Sequence, residues 1–506
     1  MKFVIISLYA LMVIGLGYVA MKKAKTVNDF FLGDRAIGPW VSAFAYGTSY
    51  FSAVLFIGYA GSVGWNFGIS SLWVVAGNAF IGSFLAWKVL AKRTRSMTVR
   101  LNTLTMPEFL QARYNSKSLK FLSALIIFVF MVPYSASVYM GLSYLFEQVF
   151  NIPYIAALFM MTALTAIYLI MGGYLAIALT DFVQGLIMIV GVALMLFFVI
   201  NSPQVGGLSE GMSRLAEVNP QLVSPVGPPG WLALLSLVVL TSLGTWALPQ
   251  MVQKFYSIKS EKDIPIATTV ATIFAIIMTF GAYFTGSLSP LFFPEGLPMV
   301  NGQPSTDLIV PEIIATALPD FVATIILLLV LSASMSTLAS LVLVSSSAIA
   351  IDIVRGGLMP KIGKDKLMLL MRVLCFIFIG FSLYLAITPT PILSLMAISW
   401  GTIAGSFLAP YLYGLFWSKT TKAGAFAGMI SGLTISVTLS FYFGVNSPHI
   451  PLIGSAAILI PLIVVPAVSL VTQGYSEAHL AKVFGEDNSH EDNAKGEKGL
   501  VTSDLG

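Results

Sequence analysis

About thirteen apolar stretches, each long enough to cross a membrane, follow one another along this chain of 506 residues. A helix satisfies its own backbone hydrogen bonds inside a bilayer, so each stretch predicts one transmembrane helix. Only 10% of the residues are charged, whereas a soluble domain has roughly 25%. We therefore expect an all-α polytopic protein of the cell membrane, with spans near residues 3–21, 38–64, 69–91, 120–148, 153–172, 177–200, 231–256, 265–288, 320–352, 367–387, 390–416, 424–443 and 450–472.

The basic residues lie in short clusters in every second connection between the spans. Lys22, Lys23 and Lys25 follow the first span, and Lys92 opens the cluster after the third. Cytoplasmic loops carry an excess of Lys and Arg, which predicts a multi-pass chain with its N-terminus outside and its C-terminus in the cytoplasm. The net charge of +5 therefore reflects topology, and we expect no nucleic acid partner. The polar tail from Gly474 onward is typical of a disordered cytoplasmic end.

Two spans carry interruptions that a lipid-facing helix does not need. The second span contains the small and polar run 47–53, and the seventh contains Pro249 followed by Gln250. Proline removes one helix hydrogen bond, and broken helices at membrane depth are tolerated where they line a cavity. Two breaks five spans apart fit an inverted-repeat secondary transporter, in which the free carbonyls can hold sodium. The alternative is close helix packing through small residues, as Gly401 and Gly405 would allow.

The ninth span contributes a row of hydroxyl groups. Residues 333, 336, 337 and 340 recur at the spacing of one helix face, which places Ser336, Thr337 and Ser340 on a single stripe. Neutral oxygen ligands suit a hard cation such as sodium, by extension of the rule for other hard cations. The alternative is that these hydroxyls bond to carbonyls one turn earlier on their own helix.

Asp181 enters the apolar sixth span and carries a charge into the membrane. A carboxylate at this depth is costly without a partner, so it predicts contact with a cation, a proton or the solute path. The alternative is an aspartate held at the mouth of the span by helix-end donors. The sequence also excludes two features. Because Cys375 is the single cysteine, an intramolecular disulfide cannot form. The sequence shows no nucleophile paired with a base, so we do not expect an enzyme.

Four motifs together resemble the sodium:solute symporter family. They are residues 29–35, 105–110, 172–184 and 335–337. The resemblance covers the chain to about residue 470 and implies leucine-transporter-like inverted five-helix repeats with sodium-coupled uptake by alternating access. It divides the chain into a leading helix and loop (1–37), a first repeat (38–200), a second repeat (201–416), trailing helices (417–473) and the disordered tail (474–506).

The resemblance also implies a sodium site, with sodium as the coupling ion. Its ligands would be the backbone carbonyls of Thr48, Phe51 and Ala333 and the hydroxyls of Ser336 and Thr337. Some family members hold a second sodium with residues that match Asp181 and three serines of the ninth span. Here Ser340 is present but the middle position is Ala339, so Asp181 and Ser340 serve either a second ion or the exit path of the first. Arg35 and Arg372 match basic positions that resemble coupling-sensitive sites in the proline branch of the family, and for Arg35 the alternative is a positive-inside anchor.

The predicted solute is a small organic molecule, either an amino acid such as proline or a monocarboxylate such as pantothenate. Residues near the two breaks suggest a compact, partly polar pocket, and its expected lining is Tyr50, Tyr134, Thr241, Thr245, Trp246 and Gln250. With no cation in reach, a half-helix N-terminus would hold a carboxylate.

Two other functions stay open from the sequence. A proton-coupled carrier of the same fold would use Asp181 as its proton site, and a solute sensor would be nonenzymatic. Besides the solute, the lipid bilayer is the expected partner, and the chain is compatible with a monomer.

Overall fold

The computed structural model describes residues 2–21, 32–171, 174–300, 302–388 and 390–485. Each predicted span is helical within these ranges, and at least nine helices are long and apolar enough to cross a membrane, or ten when the bent pair in the seventh span is counted. The all-α polytopic fold class is therefore confirmed. The helices of the spans are, in order, Lys2–Met21, Pro39–Tyr50 with 54–67, 72–100, Lys117–Phe150, Tyr154–Met171, Tyr174–Ile200, Gly230–Leu243 with Pro249–Ser257, Ile264–Ser287, Asp320–Leu358, Lys364–Ile387, Ile392–Phe416, Lys422–Phe443 and Ile450–Leu470.

The connections contain short elements of their own. These are the helices Met106–Tyr114, Leu208–Val218, Ile309–Thr316 and Glu477–Phe484, and a hairpin that pairs Met299–Val300 with Gln303–Pro304. The helix Glu477–Phe484 contradicts the prediction that disorder begins at Gly474, because Val483 and Phe484 are buried. The predicted tail beyond residue 485, the lysines at 22, 23 and 25, and Gly172 with Gly173 lie outside the described residues.

Both predicted breaks are present. The second span stops being helical at Phe51, whose φ of −110° and ψ of 100° are extended, and it resumes at Val54 as a π-helical turn. The seventh span bends by 42° after a short 3₁₀ turn, and Pro249 occupies the first turn of its second half, where a missing N–H costs nothing. Each of these spans therefore consists of two half-helices.

The half-helices Pro39–Tyr50 and Pro249–Ser257 are joined at their outer ends. The amide of Ile37 donates to the carbonyl of Ser257 at 3.3 Å, and the amide of Lys259 donates to the carbonyl of Ile37 at 2.9 Å. This parallel bridge lies on the face that carries Lys92–Arg100 and Lys259, which we call the basic face. Two segments more than two hundred residues apart in sequence are thereby tied by backbone bonds.

The second and eighth spans touch backbone to backbone. A side-chain carbon added at Gly64 would overlap Gly286, and one added at Gly286 would overlap the carbonyl of Ala60. Small residues allow this approach, and in lipid such close packing replaces the hydrophobic driving force. Gly68, at φ +56°, then turns the chain into the third span.

A cluster of charges connects three elements near the basic face. The ammonium of Lys120 lies 3.5 Å from both Glu108 Oε1 and Asp352 Oδ1, and Arg355 lies 3.9 Å from Glu108. The hydroxyl of Thr105 also donates to Asp352 Oδ1 at 2.8 Å. Lys120 and Asp352 are buried. The cluster therefore ties the helix Met106–Tyr114 to the fourth and ninth spans.

Candidate sodium and solute site

The hydroxyl stripe of the ninth span faces the broken second span. Ser336 donates to Thr48 Oγ1 at 2.8 Å, and Thr337 donates to the carbonyl of Thr48 at 3.1 Å. One turn further along, the hydroxyls of Ser340 and Ser49 lie 3.0 Å apart. All of these side chains are buried. The predicted stripe is confirmed, and its oxygens meet those of the second span within hydrogen-bonding distance of each other.

The two other predicted sodium ligands belong to the same region of the chain. Phe51 is the residue at which the half-helix ends, so the carbonyls just before it lack the usual continuation of the helix ladder. Ala333 is buried one turn before Thr337 on the ninth span. A small cation between the two helices would find several neutral oxygens as ligands, which suits a hard cation such as sodium.

Asp181 lies on the sixth span and is fully buried. Neither of its carboxylate oxygens has a hydrogen-bond partner among the residues that the structure describes. Its neighbour one turn later, Gln184, donates to the hydroxyl of Tyr9 at 3.0 Å and so ties the sixth span to the first. The alternative of an aspartate held by helix-end donors is not supported, because no such donor reaches it within the described ranges.

Sequence reasoning missed Lys254, which lies in the second half of the seventh span and is also fully buried. Its ammonium donates to Ser340 Oγ at 3.3 Å and lies 4.9 Å from the centre of the Tyr174 ring. The sequence signal was a lysine inside a membrane span, the same signal that identified Asp181. This signal was overlooked because Lys254 stands near the end of its span, where a basic residue is attributed to the positive-inside pattern.

A small cavity lies beside the break of the second span. Its volume is about 20 Å³, enough for roughly one water molecule. Tyr50, Phe51 and Thr241 line it, as the sequence analysis led us to expect for Tyr50 and Thr241. Sequence reasoning missed the remaining lining, which is Ser52, Val54, Leu55, Tyr59, Asn78, Tyr283, Met396 and Trp400. A solute therefore requires the cavity to widen.

The cavity wall combines aromatic rings with unpaired donors. The indole Nε1 of Trp400 and the hydroxyl of Tyr59 are buried and have no partner among the described residues. Asn78 Oδ1 accepts from Thr241 at 2.8 Å and from Ser242 at 3.1 Å. No acidic or basic side chain of the described ranges lines the cavity. Its chemistry suits a small solute with an acceptor group and an apolar body.

The other predicted solute residues surround the cavity without lining it. Tyr134 packs edge-on against Trp400 with ring centres 5.7 Å apart. Thr245 donates to the carbonyls of Gly82 and Ser242, and the indole of Trp246 donates to the carbonyl of Ile81 at 2.9 Å. The structure thus places Thr245 and Trp246 in the packing of the seventh span against the third, and Tyr134 in the packing of the fourth span against the eleventh.

Gln250 is buried in the second half of the seventh span. Neither atom of its amide has a partner among the described residues. It does not line the cavity beside Tyr50, so a solute contact requires a rearrangement of the seventh span.

The two predicted coupling arginines differ in their surroundings. Arg35 donates to Thr98 Oγ1, to the carbonyl of Tyr256 and to the carbonyl of Thr103, at 3.1, 3.1 and 2.7 Å. Burial lowers the pKa of its guanidinium, which lies in the loop before the second span. Arg372 is exposed on the tenth span. Only Arg35 is therefore connected to the broken spans.

Comparison with known proteins finds relatives over most of the chain. A model of the sodium:solute symporter family matches residues 30–432. The chain is 30% identical over 435 residues to the osmoregulated proline transporter OpuE of Bacillus subtilis strain 168, covering 85% of this chain and 87% of that one. It is also 30% identical over 432 residues to the sodium/proline symporter of Salmonella typhimurium strain LT2, covering 84% and 85% of the two chains.

Solved structures show the same fold. A Na⁺-coupled sialic acid symporter in a substrate-bound outward-open state aligns with a TM-score of 0.77 at 18% identity, covering 94% of this chain and 98% of that one. The nucleobase-cation-symport-1 family transporter MHP1 aligns with a TM-score of 0.51 at 15% identity, covering 90% and 98%.

Proposed function

The chain belongs to the sodium:solute symporter family, and we propose that it imports a small carboxylate-bearing solute together with sodium. Sodium is the coupling ion, and the protein is a multi-pass transporter of the membrane. The observation that carries the proposal is the cluster of Thr48, Ser336 and Thr337, in which oxygens of two spans meet in a buried place.

The proposed sodium ligands are the carbonyls of Thr48, Phe51 and Ala333 and the hydroxyls of Ser336 and Thr337. The second span ends its first half-helix at this place, so a sodium ion there joins the broken span to the ninth span. An ion that holds two elements together favours the conformation in which they are in contact. Binding and release of sodium are thereby linked to the opening of the cavity.

The proposed solute site is the cavity beside Tyr50. The unpaired donors of Trp400 and Tyr59 can donate to a carboxylate, and the rings of Tyr50 and Phe51 can cover an apolar body. Proline is the first candidate, because the relatives named above are proline transporters. A small monocarboxylate is the second, because the described lining carries no acid that would pair an ammonium group.

Orientation and organisation complete the proposal. The basic connections support an N-terminus outside and a C-terminus in the cytoplasm, so the basic face would be cytoplasmic. The breaks in the second and seventh spans support inverted repeats over residues 38–200 and 201–416. Arg35 is proposed to couple the two sides through its contact with the seventh span, whereas the same role for Arg372 has no contact to support it. We propose that a monomer is sufficient for transport.

The test is sodium-driven uptake into proteoliposomes with the Thr337→Ala variant. Loss of one oxygen ligand is expected to raise the half-saturating sodium concentration by about tenfold or more, the scale of a lost bond to a charged group. Thr324→Ala is the matched control, because Thr324 lies on the same span and its hydroxyl donates to the carbonyl of Asp320 one turn earlier on that helix. Equal effects of the two substitutions would contradict the sodium site.

The solute is identified in the same assay. Proline and small monocarboxylates are supplied in turn, and Trp400→Phe is compared with Trp87→Phe, a buried indole away from the cavity. We expect only Trp400→Phe to weaken uptake of the true solute. A zwitterion moving with one sodium carries net charge, whereas a monoanion does not, so the response to membrane voltage separates the two classes. Uptake of neither class would contradict the proposed solute.

A further inference from the structure

Lys254 is a cation of the protein that lies beside the sodium site. It is fully buried, and among the described residues it contacts the hydroxyl of Ser340 at 3.3 Å and the ring face of Tyr174 at 4.9 Å. A ring face attracts a cation, and a hydroxyl offers it one lone pair. Neither partner carries a negative charge. The groups that touch the lysine therefore do not neutralise its charge at this depth in the membrane.

The other buried lysine shows what a structural ion pair looks like in this protein. Lys120 has two carboxylates at 3.5 Å. In contrast, no carboxylate oxygen of the described residues lies within 4.0 Å of the Lys254 ammonium. Lys254 is thus not part of a closed pair, although burial makes a counter-charge more necessary than at the surface.

Asp181 is a buried anion that lacks a salt-bridge partner among the described residues, as Lys254 is a buried cation that lacks one. Its carboxylate is fully buried and both oxygens are without a partner in the described part of the chain. Lys254 lies over the ring of Tyr174, which stands two helical turns before Asp181 on the same face of the sixth span, and the charges of Asp181 and Lys254 act on each other. Ser340 connects the pair to the sodium site, because it contacts both Lys254 and Ser49 and lies one turn from Ser336. The carboxylate of Asp181 can therefore interact with either of two cations, the ammonium of Lys254 or a bound sodium ion.

We propose that Lys254 is a tethered cation that competes with the transported sodium ion for the charge of Asp181. The inference rests on the proposed sodium site at Thr48, Ser336 and Thr337. When sodium is absent, Lys254 supplies the positive charge that balances Asp181. When sodium binds, the two cations repel each other, which lowers sodium affinity and favours release once the cavity opens.

The test removes the charge of Lys254 and measures sodium binding directly. Wild-type protein in detergent is titrated with sodium chloride at constant ionic strength, and thermal stabilisation is read from tryptophan fluorescence. Lys254→Met removes the charge and keeps the length of the side chain, Lys254→Gln keeps a donor for Ser340, and Lys254→Arg keeps the charge. Lys88→Met is the matched control, because Lys88 also lies over a ring, that of Phe84 at 5.3 Å, but is exposed.

We expect the half-saturating sodium concentration to fall about tenfold in Lys254→Met and Lys254→Gln, the effect of removing one like charge from a partly screened interior. Lys254→Arg and Lys88→Met should stay close to the wild type. In an Asp181→Asn background the gain from Lys254→Met should disappear, because the anion for which the cations compete is gone. If Lys254 were merely structural, its removal would not increase the sodium affinity of the protein.

Unchanged or weaker sodium binding in both neutral variants would overturn the competition while leaving the sodium site intact. A gain that persists in the Asp181→Asn background would overturn the role of Asp181, and with it the proposal. A wild-type protein without any sodium response would instead contradict the proposed sodium site, so the two failures are distinguishable.

Discussion

Substitution of Lys120 by methionine should be among the most destabilising single changes in this protein. The substitution removes the cation that lies 3.5 Å from both Glu108 and Asp352. Arg355 remains 3.9 Å from Glu108, but within the described residues Asp352 keeps only the hydroxyl of Thr105 as a partner. Asp352 is fully buried, so its charge cannot be transferred to water. Breaking a buried pair by removing one partner costs about 3–5 kcal/mol.

The assay is reversible unfolding in mixed micelles, followed by fluorescence of the eight tryptophans. Glu210→Gln is the comparison, because it breaks the Arg214–Glu210 pair at 3.0 Å, whose side chains are 39% and 55% exposed. Exposed pairs contribute about 0–1 kcal/mol. The double variant Lys120→Met with Asp352→Asn should recover part of the loss, since the unpaired carboxylate is gone while its oxygen still accepts from Thr105. A loss for Lys120→Met no larger than that for Glu210→Gln, or no recovery in the double variant, would refute the reasoning.

Three further predictions follow from single contacts. Gly286→Ala should lower the free energy of unfolding by about 1–3 kcal/mol or more, because the new carbon overlaps the backbone of the second span, whereas Gly380→Ala, which meets nothing within 4 Å, should not; the same unfolding assay measures both. Burial raises the pKa of Asp307, in the connection before the ninth span, from 3.8 to about 6. Between these two pKa values the folded state binds a proton that the unfolded state lacks. Lowering the pH from 7 to 4 should therefore raise the free energy of unfolding by up to about 3 kcal/mol. Thermal unfolding of Asp307→Asn should no longer show this increment. Arg35→Gln should lower sodium-driven uptake severalfold through loss of its bonds to the loop after the third span and to the seventh span, and a normal rate would contradict its coupling role.

Features that depend on local chain chemistry could be read from the sequence. The spans follow from length and hydropathy, and the break before Pro249 follows from a residue that cannot donate a hydrogen bond. The stripe of Ser336, Thr337 and Ser340 follows from helix periodicity alone, because the ninth span is one regular helix through these positions.

Features that depend on how the helices are rotated relative to one another could not be predicted from the sequence. Trp246 lies in the 3₁₀ turn of the broken seventh span, where the helical period is interrupted, and its indole turns toward Ile81. Trp400 and Asn78 reach the cavity from spans that are remote in sequence, so no spacing connects them to Tyr50. The burial of Lys254 depends on the bend at Pro249, whose size no pattern predicts. The helix Glu477–Phe484 was missed because its polar sequence only becomes ordered by packing of Phe484.

The backbone bridge between Ile37 and Ile258 has a mechanical consequence. Because hydrogen bonds join the outer ends of Pro39–Tyr50 and Pro249–Ser257, the two half-helices cannot swing independently and would pivot as a single lever about the breaks. The carbonyls that end the first half-helix and the ammonium of Lys254 on the second would then leave the ninth span in one stroke. The ion would thus lose its carbonyl ligands in the same movement that displaces Lys254 from Ser340.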